Sequence, residues 1–378
     1  MFNPIDAQWA IILFAIYVFF CAIQLLLHFL YLVPFIRYKI KENKNYLWQP
    51  VSIVISVRAE YENLQKLVPV LLEQDYPSFE IVLVDDASWD ETKSYIEELS
   101  KINPKVRGVF VTEEMKKQTL GKKLALTLGI KASQNELLLF TDADCLPTSD
   151  QWIKQMVSPY HENPKIELVL GYSPFKRTNT MVNLFTQMDS LLTAMLYLSF
   201  AIKKSPYMGV GRNLSYRKSL FLKVKGFASH LHILSGDDDL FVRDTANKEN
   251  VAISIHPDAM MVTQSKKNLT DWYLQKKRHN FVGKYYKFQH QFKLGFFSVT
   301  HLFVWLSFFA NLFFISTFGW ILLTLLVFWL IKIPLVYLSF KKLKRPMKIF
   351  WMPLFDLFYV FYNMIFGLVS IFSHQRKW

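Results

Sequence analysis

Hydrophobic and polar positions divide this chain into three zones. No charged residue occurs between Ala7 and Ile36, and none between Leu294 and Ile331. A transmembrane helix takes roughly 20 apolar residues, so the first stretch predicts one span and the second nearly two, at 296–314 and 318–337. A third apolar stretch, 349–372, contains Asp356 and precedes the basic end Gln375-Arg376-Lys377-Trp378. It suits either a further span or a re-entrant or interfacial helix. Between these zones, residues 49–289 are mixed. Val51-Ser52-Ile53-Val54-Ile55-Ser56-Val57 reads as a first strand, and 63–73 carries Leu64, Leu67, Val68, Leu71 and Leu72 at helical spacing. The pattern continues as strand 81–84, helix 92–99, strand 109–111, helix 120–133 and strand 137–140. Such alternation predicts an α/β domain with a parallel sheet and right-handed crossovers. The expected organisation is an N-terminal membrane anchor over 1–40, a cytosolic domain over 41–290, and membrane or interfacial helices over 291–378.

One segment complicates this division. Residues 181–202 are nearly long and apolar enough to span, but they include Asp189 and have Lys176-Arg177 and Lys203-Lys204 on their two flanks. Basic residues on both sides argue against crossing. A span would also separate the acidic clusters described next, so an amphipathic helix packed on the core or lying in the interface is preferred.

Charge adds orientation. The 378-residue chain carries a formal charge of +14, much of it beside the apolar stretches, at Arg37-Tyr38-Lys39-Ile40-Lys41 and Lys341-Lys342-Leu343-Lys344-Arg345. Basic flanks mark the cytosolic side of an inner membrane and suit its anionic lipids, which disfavours a nucleic-acid partner. The N-terminal stretch lacks the basic start and small-residue cleavage pattern of a signal peptide, so it reads as a retained anchor. The 2 cysteines, Cys21 and Cys145, fall in different zones and imply no disulfide framework.

Candidate chemistry lies in three acidic clusters: Val84-Asp85-Asp86-Ala87-Ser88, Thr141-Asp142-Ala143-Asp144 and Gly236-Asp237-Asp238-Asp239-Leu240. The first two follow apolar runs that read as buried strands. In open α/β sheets, ligands bind beyond the carboxyl ends of the strands, which would gather these aspartates at one mouth. Asp142 and Asp144 offer hard oxygen ligands to a divalent ion that also grips phosphates. Asp85 and Asp86 suit a base N–H or ribose hydroxyls, and helix capping explains part of the same pattern. Together these point to metal-assisted chemistry on a nucleotide-diphosphate compound.

The order of motifs resembles the membrane-bound family 2 glycosyltransferases of GT-A fold. It rests on 51–64, 84–88, 141–144, 236–240 and Gln275-Lys276-Lys277-Arg278-His279. The resemblance implies an inverting transfer of sugar from a nucleotide-diphosphate donor, commonly a UDP-sugar, with Mg2+ or Mn2+. By position, Glu60, Asp85, Asp86, Lys122, Asp142, Gln275 and Arg278 would bind the nucleotide sugar, and Asp144 with Asp142 would hold the metal. The family pattern Glu-Asp-x-Asp-Leu places Gly236 where Glu is usual. Asp237 then takes the catalytic base position, with Asp238 the alternative by one register. His279 stands where the family has Trp, and Ser56 and Ala59 replace a usual Pro and Asn. The acceptor would be a hydroxyl of a lipid-linked or growing glycan at the lipid bilayer.

Other readings compete with a single transfer. A processive polysaccharide synthase needs enough helices to line a channel, and three or four spans are few. A membrane transporter or scaffold with a nucleotide-binding domain would place charge along a membrane pathway, where only Lys332 and Asp356 interrupt the C-terminal apolar stretches. A nucleotidyltransferase would want a glycine-rich, basic loop after the first strand, which Ser56 to Glu62 do not supply.

Overall fold

The computed structural model describes residues 4–40, 46–116, 121–345 and 349–372. These form two compact units. One comprises 39–286, and the other 1–38 with 287–372.

Helix α1 (Pro4–Arg37) belongs to the second unit. The first unit opens with β1 (Val51–Val57), α2 (Tyr61–Leu72), β2 (Phe79–Asp85), α3 (Thr92–Ile102) and β3 (Val106–Phe110). A single turn, α4 (Glu113–Lys116), then leads to α5 (Lys122–Ala132), β4 (Leu137–Phe140), β5 (Cys145–Pro147), α6 (Trp152–Glu162) and β6 (Leu168–Gly171). Helix α7 (Met181–Ile202) precedes β7 (Leu214–Arg217), α8 (Lys218–Lys223), α9 (Asp239–Thr245), β8 (Val251–Ser254), β9 (Met261–Thr263) and α10 (Leu269–Val282).

The main sheet runs in the order β3-β2-β1-β4-β7-β6-β8, and β5 pairs with β9 in a small second sheet. Strands β1 to β4 are mutually parallel, as predicted, but β7 runs antiparallel to both β4 and β6. The sheet is therefore mixed. Strand β7 enters from the turn after α7 rather than through a βαβ crossover, and only a crossover enforces parallel pairing. Helices cover both faces of the central strands, which explains why β1, β2 and β4 are apolar at successive positions. Helix α2 buries Leu64, Leu67, Val68 and Leu71 in the core with Ile53, Ile55 and Leu83. Helix α5 crosses the other face at Gly129, where an added Cβ would lie 2.6 Å from Val84 Cγ2 and 2.9 Å from Val54 Cγ1. Only glycine allows that approach.

Segment 181–202 packs within this unit as α7, burying Met188, Leu191, Met195, Tyr197, Leu198 and Phe200. Its Asp189 forms a buried ion pair with Lys276 of α10. A buried carboxylate needs such a partner, so the charge that disfavoured a span has a packing role.

The second unit joins α1 to α11 (Phe288–Asn311), α12 (Phe318–Lys342) and α13 (Met352–Phe372). Each of these four contains a segment long and apolar enough to cross a membrane. The third C-terminal stretch is one helix of 21 residues, about 31 Å at 1.5 Å per residue. Tyr17, Cys21, Val304, Ile321 and Phe328 pack together inside. Large apolar side chains such as Phe19, Leu26, Trp320 and Leu330 remain exposed, as a lipid-facing surface requires. Polar contacts also cross this unit. Gln24 Nε2 donates to Phe297 O at 2.8 Å and Thr300 Oγ1 at 2.7 Å. Asp356 accepts from Lys332 Nζ at 2.6 Å, His301 Nε2 at 2.8 Å and Trp305 Nε1 at 3.1 Å.

Candidate active site

The strand order reverses its direction of growth between β1 and β4, which is where a doubly wound sheet opens a ligand crevice. Glu60 emerges beyond β1, Asp85 and Asp86 at the end of β2, and Asp142 and Asp144 beyond β4. The loops after β1 and β2 are tied together. Ala59 N–H donates to Ser88 Oγ at 2.9 Å, Glu60 N–H to Thr92 Oγ1 at 2.9 Å, and Tyr61 N–H to Asp90 Oδ2 at 3.4 Å. Ala59 and Ala87 take left-handed φ values of 54° and 50°, which a non-glycine residue adopts at a cost. The Asn that the family pattern has in place of Ala59 tolerates that conformation better.

The two aspartates after β2 are used differently. Asp85 is buried and its carboxylate accepts from Ser88 N–H at 3.2 Å, so it shapes its own turn. Asp86 lies beside Lys116, whose Nζ donates to the Asp86 carbonyl and sits 3.4 Å from its Oδ1. Burial pushes the Asp86 carboxyl up and Lys116 opposes that shift. Asp86 is thus the one with a carboxylate for an incoming N–H or hydroxyl.

Asp142 is half-buried and accepts from Lys122 Nζ at 2.5 Å. Burial alone would raise its carboxyl. Lys122, with Arg212 and His279 contributing less, more than offsets this and holds it below the usual carboxylate range. The Lys122 ammonium is in turn held above its ordinary value: Asp142 and then Asp237 outweigh the opposing effect of burial. Asp144 is exposed. Burial raises the Glu60 carboxyl, and Asp144 and Asp142 push it in the same direction. Glu60 therefore shares the mouth with both.

Ligand atoms of Asp142, Asp144 and Cys145 lie within 4.8 Å of one another. Cys145 is fully buried, its Sγ donates to Asp144 Oδ1 at 3.4 Å, and burial keeps it a thiol. A neutral thiol is a poor ligand for a hard cation, whereas two carboxylates fit Mg2+ or Mn2+. The donor set thus suits a hard divalent ion held chiefly by Asp144, with Asp142 shared with Lys122.

The third acidic cluster sits at the N-terminus of α9, not at a strand end. Gly236 has φ +83°, and a Cβ there would lie 2.7 Å from Leu240 Cγ. This accounts for glycine where the family pattern has Glu. Asp238 is fixed through both oxygens: Oδ2 accepts from Gly211 N–H at 2.7 Å and Oδ1 from Asp239 N–H at 2.8 Å. Burial, reinforced by Asp237, raises its carboxyl to about 6. Among the described residues no hydrogen bond reaches the Asp237 carboxylate, which faces the Lys122 charge. Asp239 is buried and accepts from Tyr286 OH at 3.0 Å, and burial, reinforced by Asp238, pushes its carboxyl well up.

Lys123 was absent from the sequence-based site and anchors it from behind. Fully buried, its Nζ donates to His230 O and Ile233 O at 2.7 Å each, tying down the turn before Gly236. On α10, Gln275 is half-buried and its Oε1 has no hydrogen-bond partner among the described residues. Arg278 is exposed. His279 lies near enough to Asp142 to interact with it electrostatically.

Residues 52–224 match the family described as Glycosyl transferase family 2. This segment is a family 2 glycosyltransferase domain. Glycosyltransferase AglE of Haloferax volcanii is 31% identical over 131 residues, covering 34% of this chain and 41% of that protein. A poly-beta-1,6-N-acetyl-D-glucosamine synthase of Staphylococcus epidermidis is 30% identical over 138 residues, covering 36% and 32%. The matched segment thus spans less than half the length of either relative. The mannosyltransferase PcManGT from Pyrobaculum calidifontis, solved with GDP-Man and Mn2+, superposes with a TM-score of 0.59 over 96% of this chain and 100% of that one, at 17% identity. That likeness establishes the GT-A fold.

Proposed function

We propose that this chain transfers a sugar from a nucleotide-diphosphate donor to a hydroxyl of a lipid-linked or glycan acceptor, with inversion, at the cytosolic face of the inner membrane. The observation that carries this reading is the convergence of Glu60, Asp142, Asp144 and Lys122 with Asp237 and Asp238 beyond the sheet. Asp86 accepts from the base or ribose, and UDP and GDP both present suitable N–H donors. Lys122 and Arg278 meet the diphosphate. Asp144 and Asp142 would hold a divalent ion, which would supply positive charge to offset that of the departing diphosphate.

A sugar hydroxyl is a poor nucleophile at neutral pH. Asp238 takes its proton as the oxygen bonds to the anomeric carbon from the side opposite the leaving group. The carbon–oxygen bond to the diphosphate breaks, and the nucleoside diphosphate departs with the electron pair. Asp238 is favoured over Asp237 because two backbone donors fix it, and burial raises its carboxyl to about 6. Asp237 balances Lys122. The basic segments that flank the apolar helices support the cytosolic orientation, and holding the domain at the membrane raises the effective concentration of a lipid-linked acceptor.

The test is nucleotide affinity in detergent. UDP and GDP are titrated with and without Mn2+ against the wild type and Asp144→Asn. Metal-dependent binding lost in the variant supports the donor site. A folded wild-type protein that binds neither nucleotide would remove the proposal.

A further inference from the structure

We infer that Arg212 is a substrate-binding residue of the donor site and takes one of the diphosphate oxygens that leave with the nucleotide. This rests on the glycosyltransferase reading above. Arg212 lies in the short turn Gly211–Asn213, between two residues with fixed duties. Gly211 N–H holds Asp238. The buried Asn213 side chain donates to Tyr172 O and Ala259 O at 2.8 Å each and accepts from Trp152 Nε1 at 3.0 Å. The backbone on either side of Arg212 is therefore held in place.

The Arg212 side chain extends toward the strand pair next to the Asp142–Asp144 motif. The guanidinium lies over the Phe175 ring, 5.0 Å from its centroid, and Nε donates to Ser173 Oγ at 2.9 Å. Ser173 Oγ is itself anchored on Met261 O at 2.5 Å. Phe175 bridges to Thr263, and Thr263 pairs with Cys145, the neighbour of Asp144. Sheet register thus carries the guanidinium to the edge of the metal motif. Its charge acts on Asp142 and His279, which fits that placement.

The hydrogen bonds of this guanidinium use Nε and, weakly, Nη2, which is 3.4 Å from Ser173 O. Among the described residues no carboxylate forms an ion pair with it, so Nη1 and the outer face of the fork remain for a ligand. A planar, anchored guanidinium loses little freedom on binding and matches the oxygens of a phosphate. When the sugar–oxygen bond breaks, the leaving diphosphate gains negative charge, and a fixed cation at that point stabilises it. Lys122 is shared with Asp142, and Arg212 is a further cation beside the motif, with donors to spare.

The experiment compares full-length wild type and Arg212→Met in detergent, titrated with UDP and GDP in Mn2+ and with the corresponding monophosphates. Losing a charge-assisted hydrogen bond predicts diphosphate affinity roughly tenfold to a hundredfold lower, with monophosphate affinity changed less than threefold. Arg212→Lys should recover part of the loss. Undiminished diphosphate affinity in a folded variant overturns the inference while leaving the donor-site reading intact. An equal loss for mono- and diphosphates also overturns it, because the residue would then act by shaping the whole pocket. If the wild type binds no nucleotide, the parent reading fails and the inference falls with it. Should Arg212→Met not fold, Arg212→Gln, which keeps a donor for Ser173, is judged by the same criteria.

Discussion

The backbone N–H of Gly211 donates to Asp238 Oδ2 at 2.7 Å, so a turn that leads into β7 fixes a carboxylate at the start of α9. A Cβ at position 211 would lie 3.1 Å from Asp238 Oδ2 and 3.3 Å from its Cβ. Gly211→Ala therefore pushes the carboxylate from its place without removing it. A displaced base slows the chemical step while leaving donor contacts intact. The expected result is a fall in kcat of roughly tenfold to a hundredfold, with nucleotide Kd unchanged. Steady-state kinetics and an equilibrium titration check the two halves. Unchanged kcat would show that Asp238 need not be held there.

Asp238 also predicts a pH profile. Burial and the Asp237 charge raise its carboxyl from 3.8 to about 6. Because the base acts only when deprotonated, kcat/KM should rise about tenfold per pH unit below 6 and level off above it. Asp237 adds to the raised value, so Asp237→Asn should move the inflection to lower pH. Asp238→Asn should abolish transfer across the range. A profile flat from pH 5 to 8 in the wild type would assign the proton to another group.

How far the sequence exposes this site depends on the kind of contact. Asp142 and Asp144 were legible because a four-residue apolar run ends at Phe140, and a strand of a covered sheet leaves no other sequence trace. Asp85 was legible as a strand end but not in its use, since only the folded turn shows its carboxylate turned back onto Ser88. The third cluster was visible as chemistry, yet its seat at a helix N-terminus was hidden because α9 has only 7 residues and little periodicity. Antiparallel β7 was missed for a similar reason: four residues carry no direction. Arg212 and Lys123 act across 39 and 107 to 110 positions of sequence, and no local pattern reports such contacts.

Lys123 offers a test of the support behind the site. Burial lowers its ammonium to about 8, against an ordinary 10.5, while two carbonyls accept from it. Its folded value is depressed, so this group adds stability above pH 10.5, and that contribution is lost as pH falls toward 8. Chemical denaturation of the wild type should show stability rising over this window relative to Lys123→Met. At neutral pH the variant leaves two carbonyls without their donor, at a cost of about 1–3 kcal/mol each. It should therefore be destabilised, with the turn at His230 to Ile233 loosened. Equal stability at pH 7 would mean that water replaces the ammonium.

The ion-pair cluster of the helical unit makes the last prediction. Asp356 on α13 gathers Lys332 of α12 with His301 and Trp305 of α11, all within helices apolar enough to lie in lipid. In that setting an unpaired ammonium has no water to turn to. Asp356→Leu strands Lys332 and should cost roughly 3–5 kcal/mol, as breaking a buried pair does. Removing both charges in Asp356→Leu/Lys332→Leu should recover much of that loss, because desolvation offsets most of the pair's own attraction. Thermal unfolding in detergent, followed for both variants, reads the difference. If the single and double variants melt together well below the wild type, the carboxylate matters through His301 and Trp305 instead, and the joint between α11 and α13, rather than the charge pair with α12, secures the last helix.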